Sequence, residues 1–182
     1  MRVFISIDLP ENVLDELCKI QNEIKKTGLI KGKLTERENI HLTLKFLGDV
    51  DEDNMKNIKD KLNKMKFKKF ELRLDKLGVF NERVIRIIWV SVSGKEIFEL
   101  QKDIDLHLSD LFEKEDRFMG HITIARPKFV KNKDDFLKIL GKIELNKLNF
   151  PVDKIFLKKS ELSKNGPRYE TLLEINAKSK SL

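Results

Sequence analysis

Two short segments of the chain contain the residue types that acid–base chemistry needs: His-Leu-Thr-Leu at residues 41–44 and His-Ile-Thr-Ile at residues 121–124. In an extended strand, side chains two positions apart share a face. His41 and Thr43 therefore share one face, and His121 and Thr123 share the equivalent face of the second segment. An imidazole can give or take a proton near neutral pH. Two such strands side by side would form a cleft suited to acid–base chemistry on an oxyanionic substrate.

A single H-x-T motif is weak evidence, because any strand with one solvated face accepts both residues and threonine is a good strand former. The motif occurs twice, at equivalent places in a repeated pattern, and this favours one shared site. The structural alternative is a duplicated fold that has kept a His–Thr pair in each copy. As a site, each tetrad offers a hydroxyl that can donate to a phosphoryl oxygen while the imidazole handles the proton.

Two cations accompany the tetrads. Lys45 continues the alternation of His41 and Thr43, so we expect it on their face, where it would add positive charge to the groove. Arg126 closely follows the second tetrad and could pair with a phosphate. The alternative for Arg126 is a surface charge at the end of a strand.

The spacing of the histidines does not favour a metal site. A zinc site needs three or four ligands, and no Asp, Glu or Cys shares the tetrad faces. The third histidine, His107, falls on or beside the apolar stripe of a predicted helix, where a packed or partly exposed side chain is expected. We therefore expect no metal.

The composition favours a polyanionic partner, with nucleic acid first. The formal net charge is +7 and the isoelectric point is near 9.3. A length of 182 residues with 40% hydrophobic content suits one compact domain or two small lobes that share a core. Cys18 is the single cysteine, so an intrachain disulfide is excluded and a reducing cytoplasm is expected. No signal peptide and no membrane-spanning run of about 18 apolar residues is evident.

Hydrophobic periodicity predicts the same series of elements twice: strand, helix, tetrad strand and helix. The first repeat covers about residues 2–65, with a strand over 2–8, a helix from Pro10 to Gly28, a tetrad strand over 40–47 and a helix capped by Asp51. The second covers about 84–141, with a strand over 84–92 buried on both faces, a helix over 97–111, a tetrad strand over 121–126 ended by Pro127, and a helix that begins at Asn132 or Asp134 and ends at Gly141.

The remaining segments are predicted to be additional strands. They comprise residues 70–80, joined to the 84–92 strand through a turn at Asn81, and residues 148–175, which form two strands around an Asn165-Gly166-Pro167 turn. Residues 178–182 are expected to fray. The prediction is one α+β domain over residues 1–182, built by internal duplication as two pseudo-symmetric lobes. Each lobe would have mostly antiparallel sheet inside and helices outside, with a central cleft between the lobes that brings the tetrads together.

Four aromatic residues could stack a base if they line that groove: Phe4, Phe46, Trp89 and Tyr169. Core packing is expected for the first three. Tyr169 follows the Asn-Gly-Pro-Arg turn and is the one expected to reach solvent.

These residues and motifs resemble the 2H phosphoesterases, a family named for two H-x-T/S motifs, and most closely its bacterial and archaeal RNA 2′,3′-cyclic phosphodiesterases, also called 2′-5′ RNA ligases. The resemblance covers nearly the whole chain. It is carried by four segments: RVFISIDLP at 2–10, ENIHLTLKFLG at 38–48, GHITIAR at 120–126 and GPRYE at 166–170. The second tetrad ends in Ile124 where the family often has leucine.

The resemblance implies hydrolysis of a terminal 2′,3′-cyclic phosphate on RNA to a 2′-phosphomonoester, with no metal or nucleotide cofactor. Some members also join RNA ends through a 2′-5′ linkage in vitro. The family's usual assignment makes His41 the proton donor and His121 the proton acceptor, although the sequence itself is symmetric. Thr43 and Thr123 would hold the phosphate oxygens, with Arg126 and Lys45 as further phosphate ligands.

Two other classes stay open. A small-molecule cyclic phosphodiesterase would keep both histidines but would not depend on RNA length. A non-catalytic RNA-binding module would keep the basic groove without needing paired histidines. The expected partner is RNA with 2′,3′-cyclic phosphate ends, without a membrane, and the expected state is a monomer because the repeat supplies the second lobe internally.

Overall fold

The computed structural model describes residues 1–163 and 166–178. This part of the chain forms nine β-strands and four α-helices, in the order β1 (Arg2–Asp8), α1 (Glu11–Lys26), β2 (Ile30–Leu34), β3 (His41–Asp49), α2 (Glu52–Asn63), β4 (Phe70–Val79), β5 (Ile88–Ser93), α3 (Glu96–His107), β6 (His121–Val130), α4 (Lys133–Leu140), β7 (Asn149–Val152), β8 (Lys154–Ser163) and β9 (Gly166–Asn176). One turn of 3₁₀ helix, Arg37–Asn39, precedes β3. Among the described residues, no helix is long and apolar enough to cross a membrane.

The strands pair antiparallel in the order β7-β4-β5-β6-β3-β1-β8-β9, and β2 pairs with the second half of β6. The order is symmetric about the β6–β3 junction, where Leu42 lies opposite Ile122. Only Asp153 separates β7 from β8, although these strands lie towards opposite ends of the order, so the sheet curls. The predicted α+β fold, with two pseudo-symmetric lobes, is confirmed.

The helices cover the apolar face of the curled sheet, as their hydrophobic stripes predict. In α1, Val13, Leu17, Ile20 and Ile24 are fully buried. The predicted cap of α2 is present, since the Asp51 carboxylate accepts a hydrogen bond from the backbone N–H of Asn54.

Asn132 caps α4 in the same way, because its side-chain oxygen accepts from the N–H of Asp135. This settles the choice between Asn132 and Asp134 as the start of that helix. α3 ends at His107, earlier than the predicted 111, and the chain continues through turns.

The prediction that Pro127 ends the second tetrad strand is wrong, because β6 continues to Val130. Pro127 pairs with Gly32 of β2 at a shift in register, and a proline is tolerated there because a bulge does not require every N–H in the ladder. Gly32 has a φ of +154°, and a Cβ at this position would lie 2.6 Å from the carbonyl oxygen of Arg126. The glycine therefore allows the two backbones to approach at the proline. β2 itself was not predicted.

The predicted strand over 84–92 begins four residues later, at Ile88. The side chain of Asn81 accepts hydrogen bonds from the N–H groups of Arg83 and Val84, and this local turn replaces the start of the strand. Burial alternates along β5, so one face is buried rather than both.

The predicted continuous strand that starts near residue 148 is divided at Asp153 into β7 and β8, because the curled sheet uses the two halves on different edges. Asn165 of the predicted turn, and residues 179–182 of the predicted fraying end, lie outside the described residues.

Candidate active site

A cleft of about 330 Å³ lies where the two halves of the sheet meet. His41, Thr43, His121 and Thr123 all line it. The alternate residues of the two tetrads are 0–1% exposed on the opposite, helix-covered face. Side-chain alternation along the two strands thus places both imidazoles and both hydroxyls in one cleft, as the sequence predicts.

The first tetrad strand contains a β-bulge at the fourth residue of its tetrad. Thr43 pairs with Ser6 of β1 and Lys45 pairs with Ile5, so Leu44 is the extra residue. A bulge places two residues opposite one and shifts the alternation that follows it.

The second tetrad strand bulges at the equivalent residue. Thr123 pairs with Trp89 of β5 and Ala125 pairs with Ile88, so Ile124 is the extra residue. As a result, the first seven residues of β3 and of β6 have the same burial pattern.

The bulges decide which of the neighbouring residues reach the cleft. Arg126 and Phe46, five positions after their histidines, turn towards the cleft and line it. Phe46 is 71% exposed, so the expectation that it packs in the core is wrong. Arg126 is placed where it can contact a bound anion.

Lys45 does not lie on the face of His41 and Thr43, contrary to the strict alternation expected from the sequence. The bulge turns its side chain to the opposite face, where it is buried and donates to the Asp105 carboxylate and to the carbonyl oxygen of Glu113. Gln101 and the N–H of Glu115 also donate to Asp105. Lys45 is therefore part of a buried polar network behind the cleft.

The two imidazoles are held by the same backbone contact. The Nδ1–H of His41 donates to the carbonyl oxygen of Asn39 at 2.7 Å, and the Nδ1–H of His121 donates to that of Met119 at 2.8 Å. A carbonyl oxygen only accepts, so the proton of each neutral ring lies on Nδ1 and Nε2 is left for chemistry. The Nε2 of His41 accepts from the Thr43 hydroxyl at 3.0 Å.

An aromatic ring also packs against each imidazole at nearly a right angle. Tyr169 lies 5.2 Å from His41, and Phe80 lies 4.9 Å from His121, measured between ring centroids. Phe4 adds a tilted contact to His41 at 4.9 Å. These rings restrict rotation of the imidazoles about χ2.

The environment of His41 opposes its protonation. Burial lowers the pKa of His41 to about 4, the hydrogen bond to Asn39 works in the opposite direction, and the nearby cation of Lys158 lowers it further. The Asp8 carboxylate, which pairs with Lys158, raises this pKa, and Arg126 has a smaller lowering effect. In these surroundings, His41 is therefore neutral at pH 7.

The residues opposite the two tetrad threonines each have a buried polar atom without a hydrogen-bond partner among the described residues. These atoms are the Ser6 hydroxyl, opposite Thr43, and the Trp89 indole N–H, opposite Thr123. The Trp89 ring lies against Gly78, where a Cβ would be 2.6 Å from it, and contacts Phe80. Trp89 is therefore a supporting side chain rather than part of the cleft lining.

Phe80, Asn39 and Met119 are site residues that sequence reasoning missed. Asn39 and Met119 each hold a histidine through a backbone carbonyl, which leaves no signal in residue type. Phe80 was predicted as the last residue of a strand, without any indication that it reaches the second histidine.

His107 lies outside the cleft, where its Nδ1–H donates to the carbonyl oxygen of Asp103 within α3. In residues 1–163 and 166–178, no group of three or more His, Cys, Asp or Glu side chains is placed to hold a metal ion.

The fold and the cleft define a class of protein in which two H-x-T strands meet at the centre of a curled sheet, the class of the 2H phosphoesterases. The chain belongs to the LigT-like phosphoesterase family. The model of this family matches residues 7–89 and again residues 90–169.

Relatives and solved structures agree with this membership. A Methanocaldococcus jannaschii protein named RNA 2′,3′-cyclic phosphodiesterase is 40% identical over 181 residues, which cover 96% of this chain and 99% of that protein. A Thermotoga maritima protein of the same name is 32% identical, with 96% and 94% covered. A crystal structure from Thermus thermophilus superposes with a TM-score of 0.82 at 25% identity over the full length of both chains. Escherichia coli LigT shares the fold, with a TM-score of 0.79 at 19% identity and 98% of each chain covered.

Proposed function

We propose that this chain is an RNA 2′,3′-cyclic phosphodiesterase that opens a terminal cyclic phosphate to a 2′-phosphomonoester without a metal ion. The observation that carries the proposal is the pair of histidines in one cleft, each with Nδ1 held by a backbone carbonyl and Nε2 left to exchange a proton. The relatives named for this activity span nearly the whole chain.

In the proposed reaction, His121 removes a proton from water as the water oxygen bonds to phosphorus. The bond from phosphorus to the 3′ oxygen breaks, and His41 gives its proton to that oxygen. The product carries a 2′-phosphate and a free 3′-hydroxyl. Thr43, Thr123 and Arg126 hold the non-bridging oxygens as negative charge develops on them. Lys45 has no part in the site because its amine is buried in the ion pair with Asp105.

The low pKa of His41 has a consequence for this assignment. A neutral His41 cannot act as the acid, so the bound phosphate must supply the charge that restores its proton. An anion beside an imidazole raises the pKa of the imidazole. Binding of the substrate therefore prepares His41 for proton transfer. With the 5′-hydroxyl of a second RNA in place of water, the same groups open the cyclic phosphate in the same direction: the hydroxyl oxygen bonds to phosphorus, the bond to the 3′ oxygen breaks, and a 2′-5′ linkage forms.

The test is hydrolysis of an oligonucleotide that ends in a 2′,3′-cyclic phosphate, in EDTA, with the product phosphate mapped. We expect a 2′-phosphate. His41→Ala and His121→Ala should each lower kcat by about 10²- to 10⁴-fold. The matched control is His107→Ala, which should retain full turnover. Near-normal turnover in either cleft variant, or loss of activity on chelation, would contradict the two-histidine mechanism.

We also propose a monomer that acts in the cytoplasm, built as one duplicated catalytic domain. The symmetric strand order and the two successive matches to the family model support the duplication. Size-exclusion chromatography with light scattering tests the monomer.

A further inference from the structure

The second half of β6 and the adjoining strand β2 form a two-stranded surface of which the proposed chemistry uses only Arg126. We call the face that continues from the cleft the ribbon surface, formed by Lys31 and Lys33 of β2 and Arg126, Lys128 and Phe129 of β6. No acidic residue occurs in β2 (Ile30–Leu34) or in residues 125–130 of β6. The ribbon surface therefore has concentrated positive charge at the edge of the cleft.

The register of the two strands places four of these side chains on one face, and Lys128, the extra residue at the register shift, is exposed beside them. Lys33 pairs with Arg126, and both line the cleft. Two residues further from the cleft, Lys31 pairs with Phe129. Residues directly opposite each other in an antiparallel pair share a face. The stripe continues from the cleft for about 7 Å, at roughly 3.3 Å per residue.

Phe129 is exposed in a way that folding does not explain. Its side chain is 57% exposed, whereas its neighbours Pro127 and Val130 are buried on the helix-covered face. An exposed aromatic ring among lysines and arginine is the arrangement that stacks a base while the cations attract the backbone.

On the opposite side of the cleft, Arg2 lines the cleft, but the lysines of that side are paired. Lys158 pairs with Asp8, and Lys159 pairs with Glu161 and Glu170. Among the described residues, no ion pair involves Lys31, Arg126 or Lys128. Lys33 pairs with Glu36. Lys31 and Lys128 are therefore less neutralised than the lysines on the opposite side of the cleft.

Arg86 strengthens the same edge. Its guanidinium donates to the backbone carbonyl oxygen of Lys128 at 2.8 Å, which holds one more cation beside the ribbon.

From this placement we infer that the ribbon surface binds the single-stranded RNA that precedes the terminal nucleotide, with Phe129 stacking on a base and Lys31 and Lys128 contacting phosphates. The inference rests on the proposed function and adds to it that the preferred substrate is an oligonucleotide rather than a cyclic mononucleotide. Each phosphate contact should contribute about 0.7 to the slope of log affinity against log salt for a single strand.

The test compares kcat/KM for a nucleoside 2′,3′-cyclic phosphate with that for a tetranucleotide ending in the same group. In the unmodified protein the tetranucleotide should be the better substrate. Phe129→Ala should lower the ratio of kcat/KM for the tetranucleotide to kcat/KM for the nucleoside by about tenfold. The change should come from a higher KM for the tetranucleotide, as expected for loss of one base stack. Phe129→Tyr should restore the ratio because the ring is kept, and Phe129→Leu should not.

A second variant tests the charges. Combining Lys31→Ala with Lys128→Ala should make the slope of log affinity against log salt shallower by about 1.4 for the tetranucleotide, because two contacts at about 0.7 each are lost. The matched control is Lys56→Ala, which removes an exposed lysine on α2 and should leave both the ratio and the salt slope unchanged.

Equal kcat/KM of the unmodified protein for the two substrates would overturn the ribbon inference and leave the proposed function intact. Absence of hydrolysis for both would overturn the proposed function itself. A tetranucleotide preference that survives Phe129→Ala and the double lysine variant would place the RNA on another surface.

Discussion

At the scale of single residues, the two histidines share a backbone arrangement but not an environment. Each gives its Nδ1–H to the carbonyl oxygen two residues earlier in the chain, and each has an aromatic ring near 5 Å. His41 in addition lies among the cations of Lys158 and Arg126, and burial opposes its charged form. Burial first, and then charges from other strands, therefore set the protonation of His41.

The pKa of His41 can be followed by NMR through its imidazole carbon-bound protons. In the free protein we expect a titration midpoint near pH 4, because burial and the nearby cations disfavour the imidazolium. Saturation with a 2′-phosphorylated nucleoside should raise the midpoint, since the phosphate stabilises the protonated ring. The His41→Asn spectrum assigns the resonance. An ordinary midpoint near 6.5 in the free protein, or no rise with the nucleotide, would contradict this account.

At the scale of elements, a single extra residue in each tetrad strand decides what enters the cleft. The bulges at Leu44 and Ile124 turn Phe46 and Arg126 towards the substrate side and turn Lys45 away from it. A third irregularity, where Gly32 meets Pro127, allows β6 to continue past a proline and so creates the ribbon surface.

Gly32→Ala tests the importance of that third irregularity. The added Cβ would lie 2.6 Å from the carbonyl oxygen of Arg126, on a backbone with a φ of +154°. We expect a loss of about 1–3 kcal/mol in the free energy of unfolding, measured by urea denaturation.

Gly141→Ala is the control for this variant. That glycine has a φ of −68°, and its nearest contact would be an ordinary 3.5 Å. It should change the free energy by less than about 1 kcal/mol or stabilise the protein slightly. Equal effects at the two glycines would show that β2 and β6 do not need their close approach.

At the scale of the whole molecule, a helix from each half of the chain makes a buried hydrogen bond to a strand of the other half. From α1, the Gln21 amide donates to the carbonyl oxygen of Ile124 in β6 and to that of Thr35. From α3, Asp105 accepts from Lys45 of β3. Both contacts cross the junction between the tetrad strands. They hold the two imidazoles in a fixed relation across the cleft.

Lys45→Met tests this connection. The change leaves the Asp105 carboxylate buried without its cation, and we expect a loss of about 3–5 kcal/mol in the free energy of unfolding. The matched variant is Lys61→Met, which removes an exposed ion pair with Asp110 and should cost less than about 1 kcal/mol. Lys45→Met together with Asp105→Leu should recover part of the loss. A single variant as stable as the parent would show that the buried pair does not support the junction.

Much of the architecture could be predicted from local pattern because it depends on local physics. The stripes of α1 and α2, the Asp51 cap and the alternation within each tetrad are set by residues a few positions apart. The errors at Pro127 and at the segment after residue 148 share one cause, because a partner strand distant in sequence determined where each strand could continue. At Val84 the cause was the side chain of Asn81 in the preceding turn. β2 escaped prediction because its five residues form a strand only when β6 supplies the ladder.

The sequence by itself determined that two imidazoles and two hydroxyls are available on matching strand faces, since alternation and repetition are visible in one dimension. Only the tertiary structure decided which other groups join them. The bulges determined that Arg126 and Phe46 face the cleft and that Lys45 faces away from it. The groups that accept from Nδ1 of each histidine are backbone atoms, which have no residue signature. The burial and the charges that lower the pKa of His41 come from neighbouring strands. Hydrogen-bond register and long-range charge depend on how strands pair in space, and residue spacing alone does not specify that pairing.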